Sequence, residues 1–111
     1  MLINNKTLQN TASSYDVMAT IKVADLNNIA VARKAMAALI PPTLDEPGCY
    51  YFYIAESVEE VGVFYLWESW KNKQALQDHY AAPHTVDYFS KEYTTVIAFK
   101  ELVRLADEAN E

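Results

Sequence analysis

The sequence has little cysteine, few basic residues and no long hydrophobic run, and each shortage excludes a class of protein. Cys49 is the only cysteine among 111 residues, so no disulfide can form within the chain. Nine Lys and Arg against fifteen Asp and Glu give a net charge of −6, without the basic cluster that nucleic-acid binding needs. No apolar stretch approaches the length of a membrane span, and the residues after Met1 are too polar for a secretory signal. We therefore expect a cytoplasmic protein that binds neither nucleic acid nor membranes.

The composition is that of one folded domain. Hydrophobic residues make up 51% of the chain and charged residues 22%, close to the average for globular proteins. A chain of this length can bury roughly two-thirds of its unfolded surface around a single core. Residues 1–14 are polar and aperiodic, so we interpret them as an N-terminal extension and residues 15–111 as a single domain.

The pattern of apolar residues predicts four strands and three helices. Tyr15 opens a segment that alternates like a strand, and Asp25 is a suitable N-cap for a helix that Pro41 and Pro42 should stop or kink near Ile40. The predicted strands cover 15–23, 49–57, 61–70 and 99–105, and the predicted helices run from 25 to about 40, from 72 to about 81 and onward from Pro83. This β-α-β-β-α-β order, with the second helix broken in two, predicts an α+β, ferredoxin-like fold. Its antiparallel four-stranded sheet should carry helices on one face.

The third strand is apolar on both faces. Tyr65 and Trp67 point one way, with Val61 and Val63, while Phe64, Leu66 and Trp70 point the other. Helices in a small α+β domain cover one face only, so a second copy of the chain is the simplest cover for the other. We therefore predict a homodimer, although strand parity does not tell which face meets the helices.

The two tryptophans precede the two histidines by a short distance. Trp67 and Trp70 end the third strand, and His79 lies on the apolar face of the helix that follows. A tryptophan-walled cavity with one imidazole is suited to binding and deprotonating an aromatic small molecule. His84 follows a proline and lies on a different face without a nearby carboxylate, so we predict no metal site. Cys49 has no neighbouring base and is interpreted as an inert thiol.

Several segments resemble the antibiotic biosynthesis monooxygenase family, which includes the quinol monooxygenases. The matching segments are Glu46-Pro47-Gly48-Cys49, Trp67-Glu68-Ser69-Trp70, Ala75-Leu76, His79, Pro83-His84 and Phe89. The resemblance implies a dimeric α+β barrel, in which two sheets pack face to face and each subunit holds a cavity near Trp67, Trp70 and His79.

The resemblance also implies a reaction. The expected activity is a cofactor-independent monooxygenase in which His79 deprotonates a quinol or polyphenol and the phenolate reduces dioxygen directly. The substrate-binding candidates are Trp67, Trp70, Tyr53, Tyr65, His84 and Phe89. Phe89 stands where haem-degrading relatives have a haem-ligating histidine, which argues against haem binding. Two alternatives remain open: an isomerase or other proton-transfer enzyme for a small carbonyl compound, and a non-enzymatic dimer that binds an aromatic ligand.

Overall fold

The chain folds as a four-stranded antiparallel sheet with three α-helices, as described by a computed structural model for residues 14–105. Its elements are β1 (Tyr15–Val23), a 3₁₀ turn (Leu26–Asn28), α1 (Ile29–Leu44), β2 (Cys49–Glu56), β3 (Val63–Trp70), α2 (Lys73–Ala81), α3 (Pro83–Ser90) and β4 (Thr94–Val103). The strand order is β2-β3-β1-β4, and every neighbouring pair is antiparallel. The ferredoxin-like α+β prediction is confirmed. The predicted extension lies outside the described residues except for Ser14, and none of the described helices is long and apolar enough to cross a membrane.

The central strand β1 places alternate residues in the core. Val17, Ala19, Ile21 and Val23 are buried on the face that the helices cover, because successive side chains of a strand point to opposite faces. Two adjoining clusters form the core around these side chains. The first cluster consists of the buried residues Ile21, Val23, Ala32, Met36, Phe64 and Tyr88. The second consists of Val17, Ala19, Phe52, Trp70 and Leu76.

The structure resolves which face of β3 meets the helices. Phe64 and Trp70 are buried on the helix side, whereas Tyr65 and Trp67 point away from it, 49% and 39% exposed. Cross-strand neighbours extend this outer face, because Trp67 pairs with both Tyr53 and Met18. Both neighbours are about half exposed, so the outer face carries large apolar side chains that nothing within the described chain covers.

Helix α1 differs from its prediction at both ends. Asp25 accepts a hydrogen bond from the backbone N–H of Asn27 and so caps the 3₁₀ turn, and the α-helix itself begins at Ile29. At the other end Pro41 and Pro42 do not stop the helix near Ile40; it continues to Leu44. Each proline leaves a carbonyl four residues earlier without its donor. Those carbonyls belong to Ala37 and Ala38, which are exposed, so water can hydrate them.

Two strands also begin at different residues than predicted. Val61 belongs to the turn before β3, next to Gly62, whose φ of 85° is left-handed and ends the turn. The final strand starts at Thr94 instead of Phe99 and ends at Val103. A register shift opposite Thr20 and Ile21 leaves Ile97 without a partner in β1. This bulge interrupts the alternation of β4, which is why the sequence pattern does not predict a strand in its first half.

Candidate functional site

A largely apolar cavity of about 150 Å³ lies between the inner face of the sheet and the three helices. Most of its wall is aliphatic or aromatic, contributed by Ala19, Ile21, Met36, Leu39, Phe52, Ile54, Leu66, Tyr88, Phe89, Val96 and Phe99. The polar side chains among its lining residues are Glu68, His79, Tyr80, Thr85 and Thr94, and the hydroxyl of Tyr88 is hydrogen-bonded to that of Thr94. An apolar pocket with a few convergent polar groups is the usual form of a small-molecule site.

Helix α2 brings His79 into this cavity. The Asn72 side chain caps the helix by accepting a hydrogen bond from the backbone N–H of Ala75. Leu76 and His79, three residues apart, therefore share the buried face of the helix, and His79 is only 4% exposed. The helix can approach the start of β2 closely because Gly48 lies against Ala75 and has no side chain to separate them.

A single carboxylate holds both histidines. Oε2 of Glu46 lies 2.7 Å from Nδ1 of His79 and 2.8 Å from Nε2 of His84. An ionised carboxylate only accepts hydrogen bonds, so each of these ring nitrogens carries the hydrogen. The assignment places the His79 proton on Nδ1 and leaves a lone pair on Nε2. Thr85 Oγ1 also lies 3.3 Å from Nδ1, within reach of the same proton.

The surroundings of His79 favour the neutral imidazole. Burial lowers the pKa of His79 below its ordinary value, and the hydrogen bond and negative charge of Glu46 oppose that shift. The imidazole is therefore uncharged at neutral pH and can accept a proton at Nε2. In the part of the chain that the structure describes, no side chain or backbone group hydrogen-bonds Nε2. His79 thus has the arrangement of a general base.

Glu68 is a second ionisable group in the cavity wall. It lies on the inner face of β3, is 5% exposed, and accepts a hydrogen bond at Oε1 from Nε1 of Trp70 at 3.0 Å. Burial raises the pKa of Glu68 to about 7; the negative charge of Glu46 adds to the shift and the Trp70 hydrogen bond opposes it. The Glu68 carboxyl is therefore partly protonated at neutral pH.

Trp70, which does not line the cavity, contacts both His79 and Glu68. Its indole is fully buried, and its ring centroid lies 4.7 Å from that of His79 with the planes tilted by 33°. The same indole donates its N–H to Glu68. One rigid side chain thus fixes a group on α2 and a group on β3, and Phe52 packs against His79 from a second side at 5.6 Å.

The structure brings together some of the residues that the sequence singled out and separates others. His79 and Phe89 line the cavity, and Trp70 contacts His79 from behind. His84 does not line the cavity but reaches it indirectly through Glu46. The remaining candidates point to the outer face of the sheet, away from this cavity: Tyr53, Tyr65 and Trp67.

The two carboxylates of the site were not singled out as site residues from the sequence. Strand parity could have found Glu68, because it shares the inner face with Phe64, Leu66 and Trp70. A carboxylate at an otherwise apolar parity position is unusual, and that is the available signal. Glu46 belongs to a segment that carries the family resemblance, but no local pattern pairs it with His79, which follows 33 residues later and meets it only in the folded chain.

Glu46, His79 and His84 are also the residues of the described chain that could hold a metal ion. Their ligand atoms lie within 4.8 Å of one another and are of types that bind zinc. The expectation that the histidines have no carboxylate nearby is therefore wrong. Both ring nitrogens lie at hydrogen-bond distance from one oxygen of Glu46, and this contact explains the cluster without a metal.

Comparison with known proteins places the chain in a family. The family model for the antibiotic biosynthesis monooxygenases matches residues 15–91, from the start of β1 to just beyond α3. The chain belongs to the antibiotic biosynthesis monooxygenase family. The match includes Glu46, Glu68 and His79, but not β4, which supplies part of the cavity wall.

Similar proteins come from several bacteria. YjcS of Bacillus subtilis, an uncharacterised protein, is 26% identical over 93 residues, which are 84% of this chain and 89% of YjcS. In the structural comparison YjcS has a TM-score of 0.71 at 29% identity, over 81% of this chain and 97% of the YjcS structure. Rv0793 of Mycobacterium tuberculosis has a TM-score of 0.74 at 27% identity, over 86% and 98% of the two chains. PA3566 of Pseudomonas aeruginosa shares the fold, with a TM-score of 0.75 at 23% identity over 87% and 99%.

Proposed function

We propose that this member of the antibiotic biosynthesis monooxygenase family is a cofactor-independent monooxygenase that oxidises a quinol or polyphenol with dioxygen. The supporting observation is the state of His79: a buried imidazole in an apolar cavity, with Nδ1 held by Glu46 and Nε2 without a partner among the described residues. In this proposal Nε2 takes the proton of a phenolic hydroxyl. The electron-rich phenolate then reduces dioxygen.

The proposed reaction needs no external reductant. A quinol supplies two electrons when its two hydroxyls become carbonyls and two more when a ring carbon exchanges a C–H bond for a C–O bond. These four electrons reduce one dioxygen, so that one oxygen atom enters the ring and the other leaves as water. The products are a hydroxyquinone and water, and His79 returns the proton it took. The apolar wall favours a dissolved, uncharged gas such as dioxygen and keeps bulk water away from the phenolate.

The Glu46 carboxylate supports the proposed proton transfer. When His79 accepts a proton it becomes a cation within a buried site, which is costly unless an opposite charge is close. Glu46 lies 2.7 Å away and stabilises that cation, while His84 shares the same oxygen and helps to fix its position. Glu46 therefore acts as a positioning residue, and His79 contacts the substrate.

We further propose that the protein works as a homodimer. The outer face of the sheet exposes Met18, Tyr53, Tyr65 and Trp67, which together form a continuous apolar surface across three neighbouring strands. Contiguous exposed apolar patches of this kind mark association surfaces. Packing of two such faces, related by a two-fold axis, buries them without blocking the cavity on the opposite side of the sheet.

Oxygen consumption tests the proposed activity. Purified, metal-free protein is incubated with a panel of quinols, and dioxygen uptake is followed with an oxygen electrode. We expect uptake with at least one quinol, and a fall of about 10²- to 10⁴-fold in the His79→Ala variant, the usual contribution of a general base. Gln77→Ala is the matched control, because Gln77 lies on the exposed face of the same helix. Equal rates for wild type and His79→Ala would contradict the assignment of the base.

The presence of Glu68 favours one alternative function. Two ionisable groups in one cavity, one on the sheet and one on a helix, suit an isomerase, in which one group removes a proton from a small carbonyl compound and the other delivers one. Such a reaction consumes no dioxygen, so conversion that continues under anaerobic conditions would identify it. Recovery of a bound aromatic ligand unchanged after long incubation would instead identify a non-enzymatic binding protein.

A further inference from the structure

The carboxyl of Glu68 has one oxygen that is not used by the protein. Oε1 accepts the N–H of Trp70, whereas Oε2 has no hydrogen-bond partner within residues 14–105. Glu68 is nevertheless buried and lines a cavity whose wall is mostly hydrocarbon. Oε2 is not among the fully buried polar atoms that lack a partner, so it is accessible from the cavity, and a ligand there can form a hydrogen bond with it.

Glu68 and His79 approach the cavity from different walls. Glu68 lies on β3, on the side of the cavity formed by the sheet, and His79 lies on α2, on the side formed by the helices. Trp70 fixes both of them, through a 3.0 Å hydrogen bond to Glu68 and ring contact with His79 at 4.7 Å. The cavity therefore offers a ligand two polar groups, one from the sheet and one from the helices.

The protonation of Glu68 suits a hydrogen-bond donor. Burial raises the pKa of Glu68 to about 7, so a neutral carboxyl with an O–H is present around neutral pH. The ionisable groups close to it are Glu46, Cys49, His79 and Tyr80. None of these places a positive charge beside it while His79 is neutral, so nothing nearby forces the carboxyl to ionise.

The size of the cavity limits the ligand to one ring. An apolar cavity of roughly 150 Å³ is large enough to bind benzene. The cavity has about that volume, and it opens to the solvent where its half-exposed lining residues Phe89, Val96 and Phe99 lie. One aromatic ring fits inside, and any larger part of a ligand must extend outward past these exposed residues.

We propose that Glu68, held by Trp70, forms a subsite that binds an oxygen substituent of the ligand. The cavity then selects a single-ring phenol that carries a second oxygen substituent. The phenolic hydroxyl faces Nε2 of His79, and the carboxyl O–H of Glu68 donates a hydrogen bond to the second oxygen. The contact between His79 and the phenol rests on the proposed function, whereas the subsite itself rests on the contacts of Glu68.

Two nearly isosteric ligands test the subsite without any oxidation. Para-methoxyphenol and para-ethylphenol have nearly the same size and the same phenol acidity and differ in one ether oxygen, and their affinities are measured by calorimetry with the full-length protein. We expect wild type to bind the methoxy compound about three- to tenfold more tightly, the typical net effect of one hydrogen bond. A wild-type ratio near one would overturn the proposal.

Two substitutions assign the preference to Glu68. In Glu68→Gln the amide oxygen can accept the Trp70 N–H and the amide nitrogen can donate to the ligand, so the ratio should persist. In Glu68→Leu the donor is lost and the ratio should fall to about one. A preference that survives in Glu68→Leu, or that disappears in Glu68→Gln, would contradict the proposal. If Glu68→Leu does not fold, the affinity ratios of wild type and Glu68→Gln test the proposal on their own.

The affinity ratio is independent of oxygen chemistry. His79→Ala should weaken both ligands while leaving their ratio unchanged, because both carry the same phenolic hydroxyl. If no quinol supports oxygen uptake but the ratio behaves as described, the subsite stands and the proposed monooxygenase activity fails. If uptake is found but wild type does not distinguish the two ligands, the subsite fails and the role of His79 is unaffected.

Discussion

At the scale of single residues, the site depends on contacts that give one imidazole a defined tautomer. His79 could be selected from the sequence because it lies on the apolar face of a helix beside two tryptophans. The tautomer of His79 could not be predicted from the sequence, because it is set by Glu46, a residue of the segment before β2. Strand parity predicted that Trp67 and Trp70 point to opposite faces, and the structure confirms this. Parity alone does not show which face the helices cover, so the inner tryptophan could not be identified from sequence.

Replacement of Glu46 tests the tautomer at this scale. In Glu46→Gln we expect kcat/KM for the quinol to fall by at least about tenfold, since the amide can present an N–H to His79 and place the lone pair on the wrong nitrogen. The carboxylate raises the pKa of His79 against the effect of burial, so its loss lowers that pKa further. The acidic limb of the pH profile should therefore move to lower pH. Glu59→Gln, an exposed acid in the β2–β3 turn, is the matched control, and an unmoved acidic limb in Glu46→Gln would contradict the proposed role of Glu46.

At the scale of elements, the position of α2 decides whether His79 reaches the cavity. The order and type of all the strands and helices could be predicted, because apolar periodicity and turn residues are local. The errors lie where a local rule is overridden. Helix α1 continues through Pro41 and Pro42, and the carbonyls that lose their donors belong to exposed residues. The bulge at Ile97 interrupts the alternation of β4, so the sequence pattern does not predict where that strand begins.

Gly48 tests the packing of α2 against the sheet. A Cβ at this position would lie 2.4 Å from Cβ of Ala75, so Gly48→Ala must push α2 away from β2. We expect a loss of about 1–3 kcal/mol in the free energy of unfolding, together with weaker activity, as for other overpacked sites. Thermal and urea unfolding measure the loss.

A double-mutant cycle shows whether the loss comes from this contact. Ala75→Gly alone should cost about 1 kcal/mol, as glycine does in a helix. In the Ala75→Gly background, Gly48→Ala should cost clearly less than it does in the wild-type protein, because the clashing methyl group is gone. Equal costs in the two backgrounds would show that the contact does not position α2.

At the scale of the whole molecule, the sheet separates two surfaces with different roles. Its inner face carries Glu68 and Trp70 toward the cavity, and its outer face exposes Tyr65 and Trp67 for the proposed dimer. Three aromatic residues considered as substrate contacts from sequence lie on that outer face: Tyr53, Tyr65 and Trp67. An aromatic strand gives no indication by itself of which side chains pack against a ligand and which against another subunit, because both uses favour the same residues.

A charge in the outer face tests the proposed dimer. We expect wild type to elute as a dimer in size-exclusion chromatography with light scattering, and Trp67→Glu to be monomeric, because the new carboxylate would be buried in the interface. Val58→Glu introduces the same charge at a fully exposed position in the turn after β2 and should leave the dimer intact. A monomeric wild type, or a Trp67→Glu variant that remains dimeric, would contradict the proposal.

The central claim is that the cavity removes the proton of a bound phenol through His79, and the ionisation of para-nitrophenol tests it most directly. The ligand is mixed with the protein at a pH below its solution pKa, and the absorbance of the nitrophenolate is followed while calorimetry measures binding. We predict that the phenolate band appears on binding to wild type, saturates at one ligand per subunit, and is absent with His79→Ala. Bound para-nitrophenol that stays protonated in wild type, or that ionises equally in His79→Ala, would contradict the claim.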